Sequence, residues 1–305
     1  MNNNYSPLRY PGGKAVMSPF LKDFIKANNI HNVVYVEPYA GGAGAALNLL
    51  FTRQVDKIII NDASIPIYSF WNSLINHSEQ FMNLFEQTEV NLEEWHKEKN
   101  IFINRHSQFS VELGFATFFL NRCNRSGILA AGPIGGRTIE KQSNAKYKID
   151  ARYIKDRLRE KLIKVISHKD LIEVMNNDAL FLLQQIDQLP QNEKKHYLIY
   201  LDPPYYEHGA ELYLNSYTHN DHAELASFLL NRTTIKWVLS YDNVKEIRDL
   251  YKGNQLYTFD LSYSVQEKKQ GKELLVTSKN TVLPSQLEIR GSKTVSYTHL
   301  TLPTT

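Results

Sequence analysis

The sequence predicts an α/β fold with a mostly parallel sheet that ends in an antiparallel hairpin. Short apolar runs rich in β-branched and aromatic residues alternate with helical patterns, which is typical of strands buried on both faces. The first run leads through a glycine-rich loop into a helix, and the last two flank a polar turn at 266–272. The predicted strands are 33–36, 57–60, 164–167, 197–200, 235–240, 256–265 and 274–277.

Composition places the chain among ordinary globular proteins. Its 305 residues are 42% hydrophobic and 22% charged, which excludes disordered and fibrous classes. The single cysteine, Cys123, excludes an intrachain disulfide framework and a cysteine-rich metal cluster, and it favours a reducing, cytoplasmic setting. We expect no metal site. We also expect no signal peptide, because the sequence does not begin with a basic region followed by an apolar stretch, and no membrane span, because no apolar run is long enough to cross a membrane.

The charge distribution is more informative than the formal net charge of +3. Between residues 121 and 164 there are 12 Lys and Arg against 4 Asp and Glu, a local balance of 12 − 4 = +8. Such a segment is a plausible electrostatic footprint for a polyanion, and a solvated helix face is the alternative.

The first motif is a tight glycine turn, Leu-Arg-Tyr-Pro-Gly-Gly-Lys at 8–14, before a helical pattern. It is not a Walker phosphate loop, because that loop needs an earlier glycine and a Ser or Thr after the lysine, whereas Ala15 follows Lys14. A lysine at a glycine turn can contact a ligand carboxylate or a nucleic-acid phosphate. An exposed turn lysine is the alternative.

The second motif is the loop Glu-Pro-Tyr-Ala-Gly-Gly-Ala-Gly at 37–44, between a strand and a helix. Its small residues let the backbone approach a ligand and leave the helix N-terminus open. Asp62 follows the next strand, about 20 residues past the glycines, where Rossmann-like units place a ribose-binding acid. We therefore expect an adenosine-containing cofactor. The alternatives are NAD, whose third fingerprint glycine is missing, and a merely capping Asp62.

The alternation of strands and helices lapses between 77 and 150, where helical patterns lead to a glycine-rich loop at 127–136. We predict an inserted, mainly helical lobe over 77–150, with 1–76 and 151–283 forming the α/β domain and 292–305 forming a disordered tail. Asp170 follows the strand predicted at 164–167, where it could meet the base edge of a cofactor or cap a helix.

The Asp-Pro-Pro-Tyr motif at 202–205 follows the apolar run 197–200, and its prolines prevent the strand from continuing. Ligands bind at the carboxyl ends of strands in open α/β sheets, so the motif is a candidate site. A proline-stiffened loop with a capping aspartate is the alternative reading of these four residues.

Together, the glycine turn at 10–14, the loop at 37–44, Asn61-Asp62 and the motif at 202–205 resemble the N6-adenine DNA methyltransferases of the Dam type, over roughly residues 8–279. The resemblance implies a Rossmann-like methyltransferase sheet, a helical DNA-recognition lobe and S-adenosylmethionine as the cofactor. The cofactor-binding residues that it implies are Tyr10, Lys14, Glu37, Tyr39, Gly41, Asp62 and Asp202, and Asp170 is our further candidate.

The same resemblance gives the Asp-Pro-Pro-Tyr residues catalytic roles. An exocyclic adenine amine is a poor nucleophile, so Asp202 and the carbonyl of Pro203 accept its N–H protons. Tyr205 offers a stacking face to a base removed from the duplex. Neither a covalent nucleophile nor a metal is needed.

The predicted DNA contacts lie mainly in the lobe, where 120–122 and 125–128 match the family. At 129–136 the sequence departs from the basic and aromatic residues of Dam-type enzymes, so a GATC target is not expected. We predict site-specific methylation of duplex DNA, by an orphan modifier or by the partner of a cognate restriction endonuclease. An RNA methyltransferase with the same pocket and a catalytically silent DNA-binding protein are the alternatives. The candidate DNA-binding residues are Arg9, Asn121, Arg122, Arg125, Ser126, Ile128 and Arg137.

Overall fold

The computed structural model describes residues 5–9, 14–105, 107–207, 217–231, 233–254, 256–262, 270–284 and 295–296. Tyr10 and the glycines of the first motif lie outside these residues, as does most of the polar turn at 266–272. The predicted tail at 292–305 also lies outside them, except for a short strand at 295–296.

The fold is an α/β sheet with helices on both faces, as predicted. Within the described residues the strand order is β3-β2-β1-β4-β5-β7-β6-β8. The first five strands in this order are parallel, and β7, β6 and β8 pair antiparallel. The strands are β1 (Val34–Glu37), β2 (Lys57–Asn61), β3 (Ile172–Met175), β4 (Tyr197–Leu201), β5 (Lys236–Asp242), β6 (Leu256–Ser262), β7 (Gln270–Thr277) and β8 (Val295–Ser296).

Helices connect the strands, and a short 3-10 turn at Lys14–Met17 precedes the first of them. The helices are α1 (Ser18–Ala27), α2 (Gly44–Phe51), α3 (Ile65–Asn76), α4 (Ser78–Gln87), α5 (Leu92–Arg105), α6 (Val111–Cys123), α7 (Ile139–Asn144), α8 (Lys155–Ile166), α9 (Ala179–Asp187), α10 (Gln191–Lys194), α11 (His219–Asn231) and α12 (Lys245–Leu250). No helix in the described part of the chain is long and apolar enough to cross a membrane.

The continuous apolar runs of the strands are explained by two cores, one on each face of the sheet. In β1, Tyr35 packs into one core and Val36 into the other, and Tyr200 and Leu201 divide in the same way in β4. Successive strand side chains point to opposite faces, so a strand covered on both sides must be apolar throughout.

The segment predicted as an inserted lobe is mainly helical. Its helices α4, α5 and α6 pack their buried side chains into the same core as α1, α2 and α3. Phe118 of α6 lies at the centre of this packing and contacts the rings of Phe70, Phe81 and Tyr153. The boundaries of the segment as a separate domain stay a prediction.

The strand predicted at 164–167 is wrong, because these residues end helix α8 or follow it directly. Leu158, Leu162 and Val165 recur at helical spacing and bury one face of α8, and this packing overrides the β-propensity of the short apolar run. The actual strand β3 begins at Ile172. Asp170 therefore precedes a strand instead of following one.

The edge formed by the carboxyl ends of β1, β2 and β4 is where the strand order reverses. β1 lies between β2 and β4, with Val36 beside Ile59 on one side and beside Ile199 on the other. Connections from neighbouring strands leave in opposite directions at such a point, which opens a crevice for ligands. The loop at 37–44, Asp62 and the motif at 202–205 follow the carboxyl ends of β1, β2 and β4 at this edge.

Helices α3 and α6 approach each other closely at Gly114. A Cβ atom on Gly114 would lie 2.4 Å from the carbonyl oxygen of Ser69 and 2.4 Å from Oγ of Ser73. The first of these atoms belongs to the backbone of α3 and cannot move without shifting the helix.

We therefore expect Gly114→Ala to lower the free energy of unfolding by about 1–2 kcal/mol, although alanine favours an isolated helix by about 1 kcal/mol. Urea unfolding followed by circular dichroism measures the change. Gln80→Ala, on the exposed face of α4, is the control and should change stability by less than about 0.5 kcal/mol. A Gly114→Ala protein that is more stable than the wild type would contradict the close packing.

Candidate active site

The glycine loop after β1 is held in an unusual backbone conformation. Gly41 and Ala43 both have positive φ angles of 47°, and Ala43 directly precedes α2 in the left-handed region. Three hydrogen bonds hold the loop from outside: the indole N–H of Trp71 donates to Gly41 O at 2.8 Å, the Ser6 hydroxyl donates to Gly42 O at 2.5 Å, and Ala40 N donates to Asn61 O at 2.9 Å. The loop is therefore preformed at the end of the sheet.

Glu37 braces this loop from below. Its Oε1 accepts hydrogen bonds from the Tyr35 hydroxyl at 3.0 Å and from Ala46 N, in the first turn of α2, at 2.9 Å. Burial raises the pKa of Glu37 to about 8, although both hydrogen bonds oppose the shift. One carboxyl oxygen of Glu37 is thus engaged by the protein, and its role in cofactor binding stays a prediction.

Asp62 braces the loop from the side. Its Oδ2 accepts from Gly41 N at 2.9 Å, and its Oδ1 accepts from Ser64 N at 2.9 Å. Burial raises the pKa of Asp62 to about 6, and the two backbone hydrogen bonds limit the shift. Each carboxylate oxygen keeps a second lone pair that a ligand hydroxyl could use.

Asp170 is not at this edge. It lies in a 3-10 turn before β3, whereas the loop and Asp62 lie beyond the carboxyl ends of their strands. The residues that follow β3 are Asn176 and Asn177. The side-chain amide of Asn176 donates to Asp62 O at 2.7 Å, and the backbone N–H of Asn177 donates to Asn61 Oδ1 at 2.9 Å. The sequence prediction missed them because it misplaced the strand.

Asp202 stands at the end of β4 and is fixed by two donors. The Ser240 hydroxyl, from the adjacent strand β5, donates to Asp202 Oδ1 at 3.1 Å. The Lys14 ammonium lies 3.3 Å from the same oxygen. Burial raises the pKa of Asp202 to about 6, and the charge of Lys14 opposes this shift. Pro203 and Pro204 are buried beside it.

Lys14 is the centre of a buried ionic cluster. Its ammonium donates to Glu273 Oε1 at 2.7 Å, to Glu273 Oε2 at 2.9 Å and to the Tyr205 hydroxyl at 2.8 Å. The Tyr205 hydroxyl in turn donates to Glu273 Oε1. Burial alone would lower the pKa of Lys14, but the charges of Asp202 and Glu273 raise it well above its ordinary value.

Glu273 is the main site residue that the sequence reasoning missed. It lies on β7, directly before the buried run Leu274, Leu275 and Val276, and only 2% of it is exposed. A single carboxylate at the head of a buried apolar strand was the available signal, because such a group needs a partner. Its partner, Lys14, is 259 positions away in the chain.

Aromatic side chains form a second wall of the site. The hydroxyl groups of Tyr39 and Tyr217 lie 2.8 Å apart, and their rings meet edge to face. Asp242, at the end of β5, accepts hydrogen bonds from the backbone N–H groups of Tyr206 and Glu207, both at 3.1 Å. These contacts fix the chain after the Asp-Pro-Pro-Tyr motif, and Ser240 and Asp242 were not predicted.

Asn121 does not have the environment of a DNA-contacting residue. It is 2% exposed, and its amide donates to Arg9 O at 2.8 Å and Gly127 O at 2.9 Å while accepting from Arg9 N at 2.7 Å. The side chain joins the N-terminal segment to the turn after α6, and its predicted DNA contact stays a prediction.

The other lobe candidates lie on or near one anchored loop. Ser126, with a φ of 55°, and Ile128 are partly buried in the turn after α6. Arg125 and Arg137 are exposed on either side of Gly132, where an added Cβ would lie 3.7 Å from Arg125 Nη2 and 3.0 Å from Arg137 Nε. In the described part of the chain, neither guanidinium has a carboxylate partner.

Beneath this loop, Asn124 is fully buried. It accepts from the Trp95 indole at 2.7 Å and donates to Ile128 O at 3.0 Å. Arg9 and Arg122 lie below the loop, and their guanidinium groups donate to backbone carbonyls.

The described residues contain no group of three His, Cys, Asp or Glu side chains placed to hold a metal ion.

Comparison with known proteins identifies one family. The model of one family, described as D12 class N6 adenine-specific DNA methyltransferase, matches residues 10–265. The match includes the glycine loop, Asp62 and the Asp-Pro-Pro-Tyr motif, and it confirms the resemblance seen in the sequence. No curated protein matches the chain closely enough for comparison.

The raised pKa of Glu37 predicts a pH-dependent stability. Between its ordinary value of 4.5 and about 8, folded Glu37 keeps a proton that the unfolded chain has lost. The free energy of unfolding should therefore fall as pH rises through this window, by up to about 1.4 kcal/mol per pH unit for one such group. Glu37→Gln should match the wild type at pH 5 and exceed its stability by about 2–4 kcal/mol at pH 8.

Urea unfolding at both pH values measures this difference. Other buried acids contribute equally to both proteins and cancel in the comparison. Glu93→Gln, at an exposed position on α5, is the control and should run parallel to the wild type. Parallel curves for Glu37→Gln would contradict a buried, protonated Glu37.

Proposed function

The chain belongs to the family of D12 class N6 adenine-specific DNA methyltransferases, and we propose that it transfers the methyl group of S-adenosylmethionine to the N6 amine of an adenine turned out of double-stranded DNA. This proposal is based mainly on the position of Asp202. It is a fixed, partly exposed carboxylate at the carboxyl end of β4, close to the ionic cluster and next to two prolines and a tyrosine. The family makes the protein an adenine-specific DNA methyltransferase, and the residue roles below are our inference.

The residues at the sheet edge fit S-adenosylmethionine. When bound, this cofactor supplies a methyl group on a positively charged sulfonium. Glu37, Asp62 and Asp202 lie at the carboxyl ends of three adjacent parallel strands, so their carboxyl groups can offset positive charge or accept hydrogen bonds from ribose and amine groups. The left-handed loop at Gly41 and Ala43 adds close backbone approach, and Tyr39 and Lys14 border the same edge.

Asp202 accepts hydrogen bonds from the target amine. Its contacts with Ser240 and Lys14 are made by Oδ1, so Oδ2 can accept a hydrogen bond from the amine. A pKa of about 6 leaves the carboxylate ionised at neutral pH. The second acceptor is the carbonyl of Pro203, whose direction the two consecutive prolines restrict. Accepting the N–H groups turns the nitrogen lone pair out of conjugation with the adenine ring.

Tyr205 provides the stacking surface for the extruded base. Its hydroxyl is bound at the edge of the ring by Lys14 and Glu273, so the ring has a defined orientation. A base inside the duplex cannot reach a pocket at the end of a sheet, and extrusion costs a few kcal/mol that stacking helps to offset.

The loop at 125–137 reads the DNA in this proposal. Arg125 and Arg137 are exposed guanidinium groups on an anchored loop, which suits phosphate or guanine contacts. Ser126 and Ile128 lie in the turn between α6 and this loop. The target is a specific sequence other than GATC, and the enzyme acts in the cytoplasm, alone or beside a cognate restriction endonuclease.

The activity is tested with S-adenosylmethionine carrying a labelled methyl group. We expect label in duplex DNA, none in structured RNA, and N6-methyladenine as the modified base in mass spectrometry of the digested product. Label in RNA alone would support an RNA methyltransferase with the same pocket. Tight cofactor binding without any modified base on random-sequence DNA would support a catalytically silent DNA-binding protein.

Substitution of Asp202 tests its role. We expect Asp202→Ala to lower kcat/KM for DNA methylation at least 30-fold, or about 2 kcal/mol, because one acceptor of the amine protons is lost. Fluorescence anisotropy should still show DNA binding. Asp170→Ala, at the opposite edge of the sheet, is the matched control and should stay within about twofold of the wild type. Near-normal turnover of Asp202→Ala would contradict the role given to this carboxylate.

A further inference from the structure

Four cationic side chains come together where the N-terminal segment crosses the helical segment: Arg9, Arg122, Arg152 and Lys161. They come from the segment before the first 3-10 turn, the end of α6, the turn before α8 and the middle of α8. Within the described ranges, none of the four forms an ion pair with a carboxylate. We call these residues the cationic cluster.

Backbone carbonyls hold the two central guanidinium groups in place. Arg122 donates from Nε and Nη2 to the carbonyl of Arg152, with Nε at 2.8 Å. Arg9 donates from Nη1 to Asn124 O at 3.0 Å and Arg122 O at 3.4 Å. These contacts with described residues use only some of the N–H groups of each guanidinium, and the remaining N–H groups of Arg9 and Arg122 can donate to a ligand.

Lys161 joins the cluster to the glycine loop. Its ammonium donates one hydrogen bond to the carbonyl of Ser6 at 2.9 Å. The hydroxyl of the same serine holds Gly42 O at 2.5 Å. Arg152 is exposed, and Lys161 is partly buried on the face of α8 nearest to residue 6. The cluster therefore borders the catalytic edge and reaches the protein surface.

The electrostatics of the cluster favour a bound anion. Burial, together with neighbouring cations, lowers the pKa of Arg122 to about 10 and that of Lys161 to about 8. Burial and the charge of Arg152 also lower the pKa of Arg9. Half-buried cations that repel one another are stabilised by an anion that accepts their unused N–H groups.

We propose that Arg152 and Lys161, together with Arg9 and Arg122, form a binding site for backbone phosphates of duplex DNA. Phosphate diesters fit because they accept several charge-assisted hydrogen bonds without a fixed base sequence. The site would hold the duplex where α8 meets residues 6–9, which the hydrogen bond from Lys161 to Ser6 O joins. This inference rests on the proposed function and adds Arg152 and Lys161, which lie in the basic segment 121–164 but were not among the candidate DNA-binding residues.

The salt dependence of DNA binding tests this site. Fluorescence anisotropy on one labelled duplex gives the slope of log Kd against log salt concentration, which changes by about 0.9 for each phosphate contact. We expect Arg152→Gln and Lys161→Gln each to reduce the slope by about 0.9 and to weaken binding about 5–10-fold at 0.1 M salt. The charge-retaining variants Arg152→Lys and Lys161→Arg should recover most of the slope.

Two controls make the outcome decisive. Lys26→Gln, exposed on α1, removes the same charge outside the cluster and should leave the slope within about 0.3 of the wild type. Circular dichroism and the thermal midpoint establish that each variant is folded. If the wild type methylates DNA but both cluster variants keep its slope, the phosphate site is overturned and the methyltransferase proposal stands. If the wild type methylates no DNA, the methyltransferase proposal fails whatever the slopes are.

Discussion

One buried ammonium group, on Lys14, determines how the catalytic edge is assembled. It links Asp202 at the end of β4, Tyr205 in the following motif and Glu273 on β7. One cation between two carboxylates is costly to desolvate, and removing it would leave buried charges unpaired at a cost of about 3–5 kcal/mol. Its contribution is therefore positional: the cluster fixes Asp202 and Tyr205, the two residues to which the proposed mechanism gives the contacts with the target adenine.

The same edge depends on acids that serve structure and binding together. Asp62 holds the left-handed glycine loop through the N–H of Gly41, and Glu37 holds the first turn of α2 through the N–H of Ala46. Burial raises the pKa of both carboxyl groups. Burial disfavours the charged form of a carboxyl group. A cationic ligand next to the group opposes this effect, because it favours the ionised form. In the proposed function, the positive charge of the sulfonium would favour the ionised form of both carboxyl groups.

The sequence predicts the local parts of this site better than the distant ones. The Asp-Pro-Pro-Tyr motif and the glycine loop are visible because a few adjacent residues determine both conformation and chemistry. Asp170 was misplaced because 164–167 satisfies both strand propensity and the helical spacing of Leu158, Leu162 and Val165. Glu273 was missed because its pairing with Lys14 depends on the register of β7 beside β5. For Asn121 the sequence motif suggested a DNA contact, but the motif does not show that the side-chain amide donates to Arg9 O and Gly127 O in the folded protein.

The central claim is that this assembled edge methylates adenine at N6 in a defined duplex sequence. Mapping of modified bases at nucleotide resolution, on a random-sequence plasmid library treated with the purified protein and S-adenosylmethionine, tests it most directly. The account predicts N6-methyladenine in a single recurring sequence context, different from GATC. Modified cytosines, adenines modified without a common context, or a library without modified bases despite cofactor binding would contradict it.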